Sequence, residues 1–386
     1  MAYKIIMPKT VWLGINALEM AEGDLCALGK KALIVSGKSM IRQGHMDTLT
    51  NILKKNNIAW HVFSEISGEP TTDMISLGAE EYINEDCDFI IGFGGGSPLD
   101  SAKAIALVSK EKAKLSSYMG REITTSLPPI VAIPSTAGTG SEVTQFTIIT
   151  DKETNVKMLL KGSSLMPTLA IVDPTFTTGA TFKITVATAL DALTHAVEAY
   201  TSKKANQISD NFAISAVKKI FKYLPLVLQE ETNIEYREKL SLAAYEAGVS
   251  FNNSSVTLVH GMSRPIGALF HVPHGLSNAM LLDVCLSYAL EGAYERFGDL
   301  GRAINKNNDY TDNQKAAEGF LEDLRKLCTT CQVPTLKEFG IKKEDFIKQI
   351  DKMAEDAMES KSPSNTRRDI GVEDIKKLYL KLWEEK

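Results

Sequence analysis

The sequence is poor in the features that mark several specialised protein classes. Its five cysteines are an odd number scattered over 386 residues, which is a weak basis for a disulfide framework. Its net charge is −5, so electrostatics gives no reason to expect nucleic acid or an anionic membrane as a partner. No apolar run approaches the ~18 residues of a membrane span, and the N-terminus lacks a signal-peptide pattern. A cytoplasmic protein is therefore expected.

Cys328 and Cys331 have the Cys-x-x-Cys spacing of redox and zinc sites. No second cysteine pair completes a zinc site, and no βαβ pattern surrounds the two residues. The sequence therefore predicts a structural role for both.

The apolar pattern of the chain changes near residue 180. Before it, short apolar segments alternate with helical patterns, as they do in parallel α/β layers. These segments are residues 31–35, 88–92, 129–133 and 169–173. After it, strand patterns largely vanish and amphipathic helical patterns take over. The predicted helices are residues 203–229, 232–249, 282–303, 313–328 and 343–360. We predict an α/β domain with a parallel sheet over residues 1–180 and an all-α domain over residues 181–386.

Histidine is also scarce, with six residues in the whole chain. Asp191 and His195 lie one turn apart in a predicted helix, so the carboxylate and the imidazole share a face. His260 and His274 follow downstream. Three imidazoles and one carboxylate suit a catalytic Fe²⁺ or Zn²⁺ ion, and they suit Ca²⁺ or Mg²⁺ poorly because those ions prefer oxygen ligands. The alternative is that these histidines are satisfied by hydrogen bonds in a helical core.

A glycine cluster gives a second signal. The predicted strand at residues 88–92 runs into three consecutive glycines, Gly94, Gly95 and Gly96. Ser97 is then predicted to cap a helix, with Asp100 at the capping-box position. Glycines at such a junction let backbone N–H groups close on an anion, here a pyrophosphate. A plain tight turn would use the same residues, and the spacing differs from the common Gly-x-Gly-x-x-Gly fingerprint.

With these motifs in place, the sequence resembles the iron-containing (group III) alcohol dehydrogenase family across essentially its full length. The motifs are Gly-Gly-Gly-Ser-Pro-Leu-Asp at 94–100, Pro-Ser-Thr-Ala-Gly-Thr-Gly-Ser-Glu at 134–142, Asp-Ala-Leu-Thr-His-Ala-Val-Glu at 191–198, His-Gly-Met at 260–262 and Pro-His-Gly at 273–275. The resemblance implies a fold like that of dehydroquinate synthase, with NAD(P) on the α/β domain and the metal on the helical domain. It also implies a small alcohol or aldehyde as substrate and a homodimeric assembly.

The resemblance further assigns roles to individual residues. The implied metal ligands are Asp191, His195, His260 and His274, a set that does not distinguish Fe²⁺ from Zn²⁺. The implied contacts to the cofactor diphosphate are Gly94, Gly95, Gly96, Ser97 and Asp100. Thr136, Thr139 and Ser141 are implied on the nicotinamide side, and Lys157 at a ribose. For the second loop, a plain Gly/Thr turn is the alternative. The metal would act as a Lewis acid on the substrate oxygen while the nicotinamide exchanges a hydride.

One departure from the family concerns the exchangeable proton. Arg264 stands where several relatives place a histidine, four residues after the third ligand, and His271 stands three residues before the last ligand. An arginine cannot lose a proton at working pH, so we predict that His271, or water, carries it. Alternatively, His271 packs under the cofactor. Arg264 either orients an acidic substrate group or makes a salt bridge or a phosphate-adjacent contact.

A second departure concerns cofactor choice. NAD-selective relatives place an aspartate after the strand at residues 32–35, and its charge repels a 2′-phosphate. This chain has Ser36, Gly37, Lys38 and Ser39 there. Because this segment has a lysine and no carboxylate, the sequence predicts use of NADP(H), alone or alongside NAD(H).

Three alternatives stay open at this stage. Phe251 is predicted to form an apolar wall for short primary alcohols and aldehydes, or it is a plain core residue. A synthase or lyase of the dehydroquinate synthase type would carry extra basic residues for a phosphorylated substrate, and the metal-site segments offer chiefly Arg264. A non-catalytic binding protein on this scaffold would have lost ligands, and none is missing.

Overall fold

The structure is a computed structural model that describes residues 2–111, 113–154, 156–305 and 311–384. The chain groups into two compact units. The α/β unit contains Lys4–Ala180 and also Thr232–Gly248, and the helical unit is formed chiefly by Thr181–Glu231 and Val249–Lys386. The predicted fold class, a parallel-sheet α/β region followed by a helical region, is confirmed.

The α/β unit is built on short apolar strands. They are β1 (Thr10–Leu13), β2 (Lys31–Ser36), β3 (Ala59–Phe63), β4 (Phe89–Gly94), β5 (Ile130–Pro134), β6 (Phe146–Asp151), β7 (Val156–Lys161) and β8 (Leu169–Val172). Within the described residues, β6 and β7 form an antiparallel hairpin and the others form a parallel sheet in the order β1-β8-β5-β4-β2-β3. Every residue of β4 and β5 is buried, as expected for central parallel strands covered on both faces. The four strands predicted from the sequence are confirmed.

Alternate side chains of these strands enter two separate hydrophobic cores. Leu33 and Val35 belong to one core, and Ala32 and Ile34 belong to the other, because successive side chains of a strand point to opposite faces. The helices of this half are α1 (Ala17–Met20), α2 (Glu22–Cys26), α3 (Lys38–Arg42), α4 (His45–Lys55), α5 (Thr72–Asn84) and α6 (Gly96–Lys110). Their apolar residues complete both cores.

The strand order reverses at β2. The chain passes from β2 to β3 on one side, and then through α5 to β4 on the other side of β2. Open α/β sheets bind ligands outside the carboxyl ends of the strands at such a reversal. Residues 37–39 leave the end of β2 and residues 95–97 leave the end of β4, so two segments that the sequence predicts for the cofactor share this edge.

The remaining helices are α7 (Phe182–Thr201), α8 (Gln207–Gln229), α9 (Ile234–Asn252), α10 (Leu258–Phe270), α11 (His274–Leu290), α12 (Tyr294–Ile304), α13 (Asn313–Thr330), α14 (Lys343–Glu359) and α15 (Val372–Glu384). The first fifteen residues of α9 group with the α/β unit. Cys331 is buried at the end of α13, and neither it nor Cys328 forms a disulfide. In the described part of the chain, no helix combines the length and apolarity that crossing a bilayer requires.

One helix prediction is wrong. The sequence predicts a single helix over residues 282–303, but α11 ends at Leu290 and α12 begins at Tyr294. Gly292 lies at this break, where a Cβ would come within 2.4 Å of the backbone nitrogen of Arg368. The backbone near Arg368 therefore lies so close that only a glycine fits at position 292. The apolar periodicity of the sequence continues across this position and does not indicate the break.

Candidate functional site

Helix α7 carries the first two predicted ligands. Asp191 and His195 lie one turn apart on it and are 3% and 6% exposed. Most of the other α7 side chains from Ala189 to Thr201 are also buried, in keeping with the largely apolar sequence of this helix. Two ionisable groups on so buried a helix need polar partners, because an unpaired buried charge is costly.

Helices α10 and α11 bring the other two predicted ligands to Asp191. The Nε2 atoms of His260 and His274 each lie 3.7 Å from Asp191 Oδ1. Gly275 permits this arrangement, because a Cβ there would lie 2.2 Å from the carbonyl oxygen of Ala187 on α7. The start of α11 thus packs directly on the backbone of α7.

The four residues predicted as ligands therefore lie together. Donor atoms of Asp191, His195 and His260 lie within 4.8 Å of one another, and the rings of His195 and His260 stack with centroids 4.5 Å apart. Desolvation lowers the pKa of the buried His260 and of the partly buried His274, which favours the neutral imidazole with a nitrogen lone pair. Desolvation raises the pKa of Asp191, an effect that a bound cation would oppose. Neutral nitrogen donors with one carboxylate fit Fe²⁺ or Zn²⁺.

Glu198 is a partner of this cluster to which the sequence reasoning gave no role. Its side chain is fully buried, and Oε1 accepts hydrogen bonds from Thr257 Oγ1 at 2.8 Å and from Val259 N at 2.6 Å. Oε2 lies 2.6 Å from His260 Nδ1. Glu198 follows His195 by three residues on α7, so helical spacing alone places it on the ligand face.

Asn278 is a second partner that was missed. Its Nδ2 lies 2.7 Å from Asp191 Oδ1 and 3.3 Å from Nε2 of both His260 and His274. It follows His274 by four residues on α11, which is again the spacing of one helix face.

The three other residues singled out near the ligands have different surroundings. Phe251 stacks on the His195 ring, with centroids 4.1 Å apart and planes 14° apart. Arg264 donates from Nη1 to Ser362 Oγ at 3.1 Å. His271 ends α10 in the left-handed conformation, at φ 55°, and its side chain is exposed.

The two glycine-rich loops of the α/β unit contact each other. Gly94 has φ +148°, and its carbonyl accepts a hydrogen bond from Ser135 N at 2.7 Å. A Cβ on Gly96 would lie 2.8 Å from Cγ2 of Thr139, and a Cβ on Gly95 would lie 3.8 Å from Thr136. The segments that the sequence predicts for the cofactor diphosphate and for its nicotinamide side thus lie in contact at the carboxyl edge of β4 and β5.

The capping prediction for α6 is wrong. The helix begins at Gly96 with Gly95 as its N-cap, and no side chain caps it. Ser97 lies inside the first turn, and the Asp100 carboxylate accepts hydrogen bonds from Ser141 Oγ and from Ile148 N instead of reaching back. Asp100 and Ser141, both predicted to line the cofactor, are therefore hydrogen-bonded to each other.

Lys103, one turn further along α6, also holds the second loop. It is fully buried, and Nζ donates to the carbonyl oxygens of Ser141, Thr144 and Phe146 at 2.7 to 2.9 Å. Burial lowers the pKa of Lys103 to about 8. The helix that follows the first glycine loop is thus tied by an ammonium group to the end of the second.

Two lysines predicted to meet the cofactor are paired with glutamates that follow β3. Lys38 Nζ lies 3.7 Å from Glu65 Oε2, and both side chains are largely exposed. Lys157 Nζ lies 2.6 Å from Glu69 Oε1. Gly37 precedes α3 as its N-cap residue, and Ser39 lies within that helix. Neither glutamate is recognisable as a partner from the sequence pattern.

Comparisons with known proteins match nearly the whole chain. Residues 8–174 match the family described as iron-containing alcohol dehydrogenase, and residues 185–383 match the family described as Fe-containing alcohol dehydrogenase, C-terminal.

Individual relatives agree with these matches. The chain is 33% identical over 372 residues to the NAD-dependent methanol dehydrogenase of Bacillus methanolicus, covering 96% of this chain and 97% of the relative. It is 30% identical over 382 residues to the NADPH-dependent butanol dehydrogenase of Clostridium saccharobutylicum, covering 97% of each. A solved structure of 1,3-propanediol oxidoreductase superposes with a TM-score of 0.95 at 32% identity, covering 99% of this chain and all of that one.

Proposed function

Because the chain belongs to the iron-containing alcohol dehydrogenase family, we propose that it interconverts a small primary alcohol and its aldehyde with NAD(P)(H), at a divalent ion held by Asp191, His195, His260 and His274. The observation that carries this proposal is that donor atoms of Asp191, His195 and His260 lie within 4.8 Å of one another in a buried part of the helical unit, with His274 Nε2 3.7 Å from Asp191 Oδ1. Fe²⁺ and Zn²⁺ both suit this donor set.

The side chains around the ligands support a site built for a cation. Asn278 and Glu198 hold Asp191 and His260 by hydrogen bonds, as groups behind metal ligands commonly do. When bound, the ion supplies Lewis acidity toward the substrate oxygen, and the nicotinamide supplies the hydride acceptor or donor. Phe251 covers one face of the His195 ring and offers apolar surface beside the ligands, which suits a short alkyl group.

The exchangeable proton of the alcohol needs a carrier that can exchange it with solvent. We propose His271 for this role, with water as the alternative. Its imidazole is exposed and lies three residues before His274, so it can trade protons with solvent. Arg264 stays charged at working pH, so it cannot relay the proton, and its Nη1 donates a hydrogen bond to Ser362 Oγ.

For the cofactor we propose the carboxyl edge of the sheet, with the diphosphate on the Gly94–Ser97 turn and NADP(H) accepted. Residues 37–39 contain no carboxylate and provide Lys38 for a 2′-phosphate. Glu65 beside Lys38 works against that preference, so NAD(H) is expected to be used as well. Among the relatives compared above, one is named for NAD and another for NADPH.

The family resemblance supports a proposal on assembly, and the sequence pattern supports one on location. We propose a homodimer in the cytoplasm. Light scattering coupled to size exclusion tests the first statement, and fractionation of the source cells tests the second.

The decisive experiment is anaerobic reconstitution of the metal-free enzyme with Fe²⁺ or Zn²⁺, followed by a panel of simple aldehydes with NADH and NADPH. Net oxidation of the reduced cofactor is expected with at least one short aldehyde. Asp191→Asn, with matched folding by circular dichroism, should be inactive. Product formation without net oxidation of the reduced cofactor would instead indicate a synthase-like reaction. Activity in the Asp191→Asn enzyme would contradict the proposed ligand set.

A further inference from the structure

Glu198 makes more contacts than helix packing requires. Its carboxylate takes three donors from one short stretch, the hydroxyl of Thr257, the backbone N–H of Val259 and the ring of His260. The side chain is fully buried, and burying a carboxylate costs several kcal/mol unless its lone pairs are satisfied. A neutral side chain would pack α7 against α10 without that cost.

The contacts of His260 decide where its proton lies. A carboxylate oxygen accepts, and Glu198 Oε2 lies 2.6 Å from Nδ1 of His260, whereas an amide nitrogen donates, and Asn278 Nδ2 lies 3.3 Å from Nε2. A neutral imidazole carries one N–H, and that N–H is therefore at Nδ1, where it donates to Glu198 Oε2 at 2.6 Å. This is the tautomer that directs a lone pair from Nε2 toward Asp191 Oδ1, 3.7 Å away.

The two oxygens of Glu198 act on the same segment in different ways. Oε1 holds the backbone at Val259, immediately before the histidine, and Oε2 holds the imidazole itself. The Glu198 carboxylate, near the C-terminal end of α7, thus fixes both the backbone of Val259 and the ring of His260. We propose that Glu198 is a positioning residue, which sets the tautomer and the ring orientation of His260 so that Nε2 is presented to a divalent cation.

This proposal rests on the proposed metal-binding function, and its consequences can be measured without turnover. In Glu198→Gln, one side-chain atom becomes an NH₂ group. That group must face either the N–H of Val259 or the Nδ1–H of His260, and both are donors. The expected result is roughly 10- to 100-fold weaker binding of Co²⁺, measured by competition with a chelating dye, because groups behind metal ligands commonly have effects of that size.

A purely structural role would leave the tautomer of His260 unchanged. Nitrogen-15 spectra of the metal-free enzyme, labelled at histidine and assigned with His260→Gln, are expected to show Nδ1–H in the wild type and a mixture in Glu198→Gln. Glu246→Gln, which alters another buried glutamate, is the matched control and should change neither readout. If Glu198→Gln does not fold, Thr257→Val removes one of the three donors and should weaken Co²⁺ binding by a smaller factor.

Equal Co²⁺ affinity together with an unchanged tautomer in the folded variants would overturn the role of Glu198. Failure of the metal proposal is a separate result, namely that Co²⁺ binds the wild type and Asp191→Asn equally. In that event the tautomer measurement still decides whether Glu198 positions His260.

Discussion

Asn278 donates its side-chain amide to Asp191 Oδ1 at 2.7 Å and so ties α11 to the middle of α7. The same nitrogen lies 3.3 Å from Nε2 of His260 and of His274, so the two N–H groups of one amide face three polar atoms from three helices. A cation between these residues would meet the same three atoms.

Asn278→Ala should therefore destabilise the metal-free enzyme and leave the metal-loaded enzyme much less affected. Removing the donor leaves the buried carboxylate of Asp191 short of a partner, which costs about 1–3 kcal/mol. A bound cation supplies that partner. Thermal unfolding with and without Zn²⁺ measures both effects, and Ser241→Ala, which removes a buried hydroxyl elsewhere, is the control. An equal loss of stability with and without Zn²⁺ would contradict this account.

Glu142 should make stability depend on pH. Burial raises its pKa from 4.5 to about 7, so between these values the folded chain holds a proton that the unfolded chain has released. Its contribution is complete below pH 4.5 and is lost as the pH rises to about 7. Glu142→Gln should match the wild type in acid and exceed it above pH 7, by at most about 3 kcal/mol.

Denaturant titrations at pH 4.5, 6 and 8 measure that difference. Glu122→Gln, an exposed position in the same unit, is the control and should show no such trend. A constant difference between Glu142→Gln and the wild type at all three values would show that Glu142 does not titrate in this range.

Glu65→Gln should raise the preference for NADPH. The variant keeps the shape of the side chain and removes the charge that competes with a 2′-phosphate for Lys38. Because both side chains are largely exposed, we expect the ratio of kcat/KM for NADPH to that for NADH to rise only about two- to fivefold, and less at high salt. Glu85→Gln, which alters an ion pair with Lys31, should leave the ratio unchanged. A fall in the ratio, or a tenfold preference of the wild type for NADH, would contradict the cofactor proposal.

His271→Ala tests the proton carrier. If the imidazole relays the proton, kcat should fall about 10²-fold or more and its pH profile should change, with metal content unchanged. His271→Gln keeps a polar side chain that cannot carry a proton and should behave like the alanine variant. Unchanged turnover and pH profile in both variants would leave water as the carrier.

The sequence predicted the strands and the shared helix face of Asp191 and His195 because both leave local patterns. A buried parallel strand is a short apolar run such as residues 31–35, and two ligands on one helix face are four residues apart, as Asp191 and His195 are. The same spacing rule also marks Glu198 and Asn278. It could not reveal their roles, because these depend on which residue of another helix stands opposite.

Predictions from local sequence failed where a side chain or backbone group interacts with a segment far away in the sequence. Ser97 and Asp100 fit a helix cap, but the Asp100 carboxylate binds Ser141 and Ile148, more than forty positions away. At the break between α11 and α12, Gly292 is required because the backbone of Arg368, which lies far along the chain, passes within 2.4 Å of where a Cβ would stand. The pairing of Lys38 with Glu65 likewise depends on the order of strands in the sheet, which a single sequence does not state.

The central claim is that Asp191, His195, His260 and His274 hold one divalent ion. Metal content by mass spectrometry, after reconstitution with Fe²⁺ or Zn²⁺ and removal of excess, tests it most directly. We predict one ion per wild-type chain and less than about a tenth of that in folded Asp191→Asn and His260→Ala, as expected when a ligand is lost from a buried set. Full occupancy in those two variants, or none in the wild type, would contradict the account.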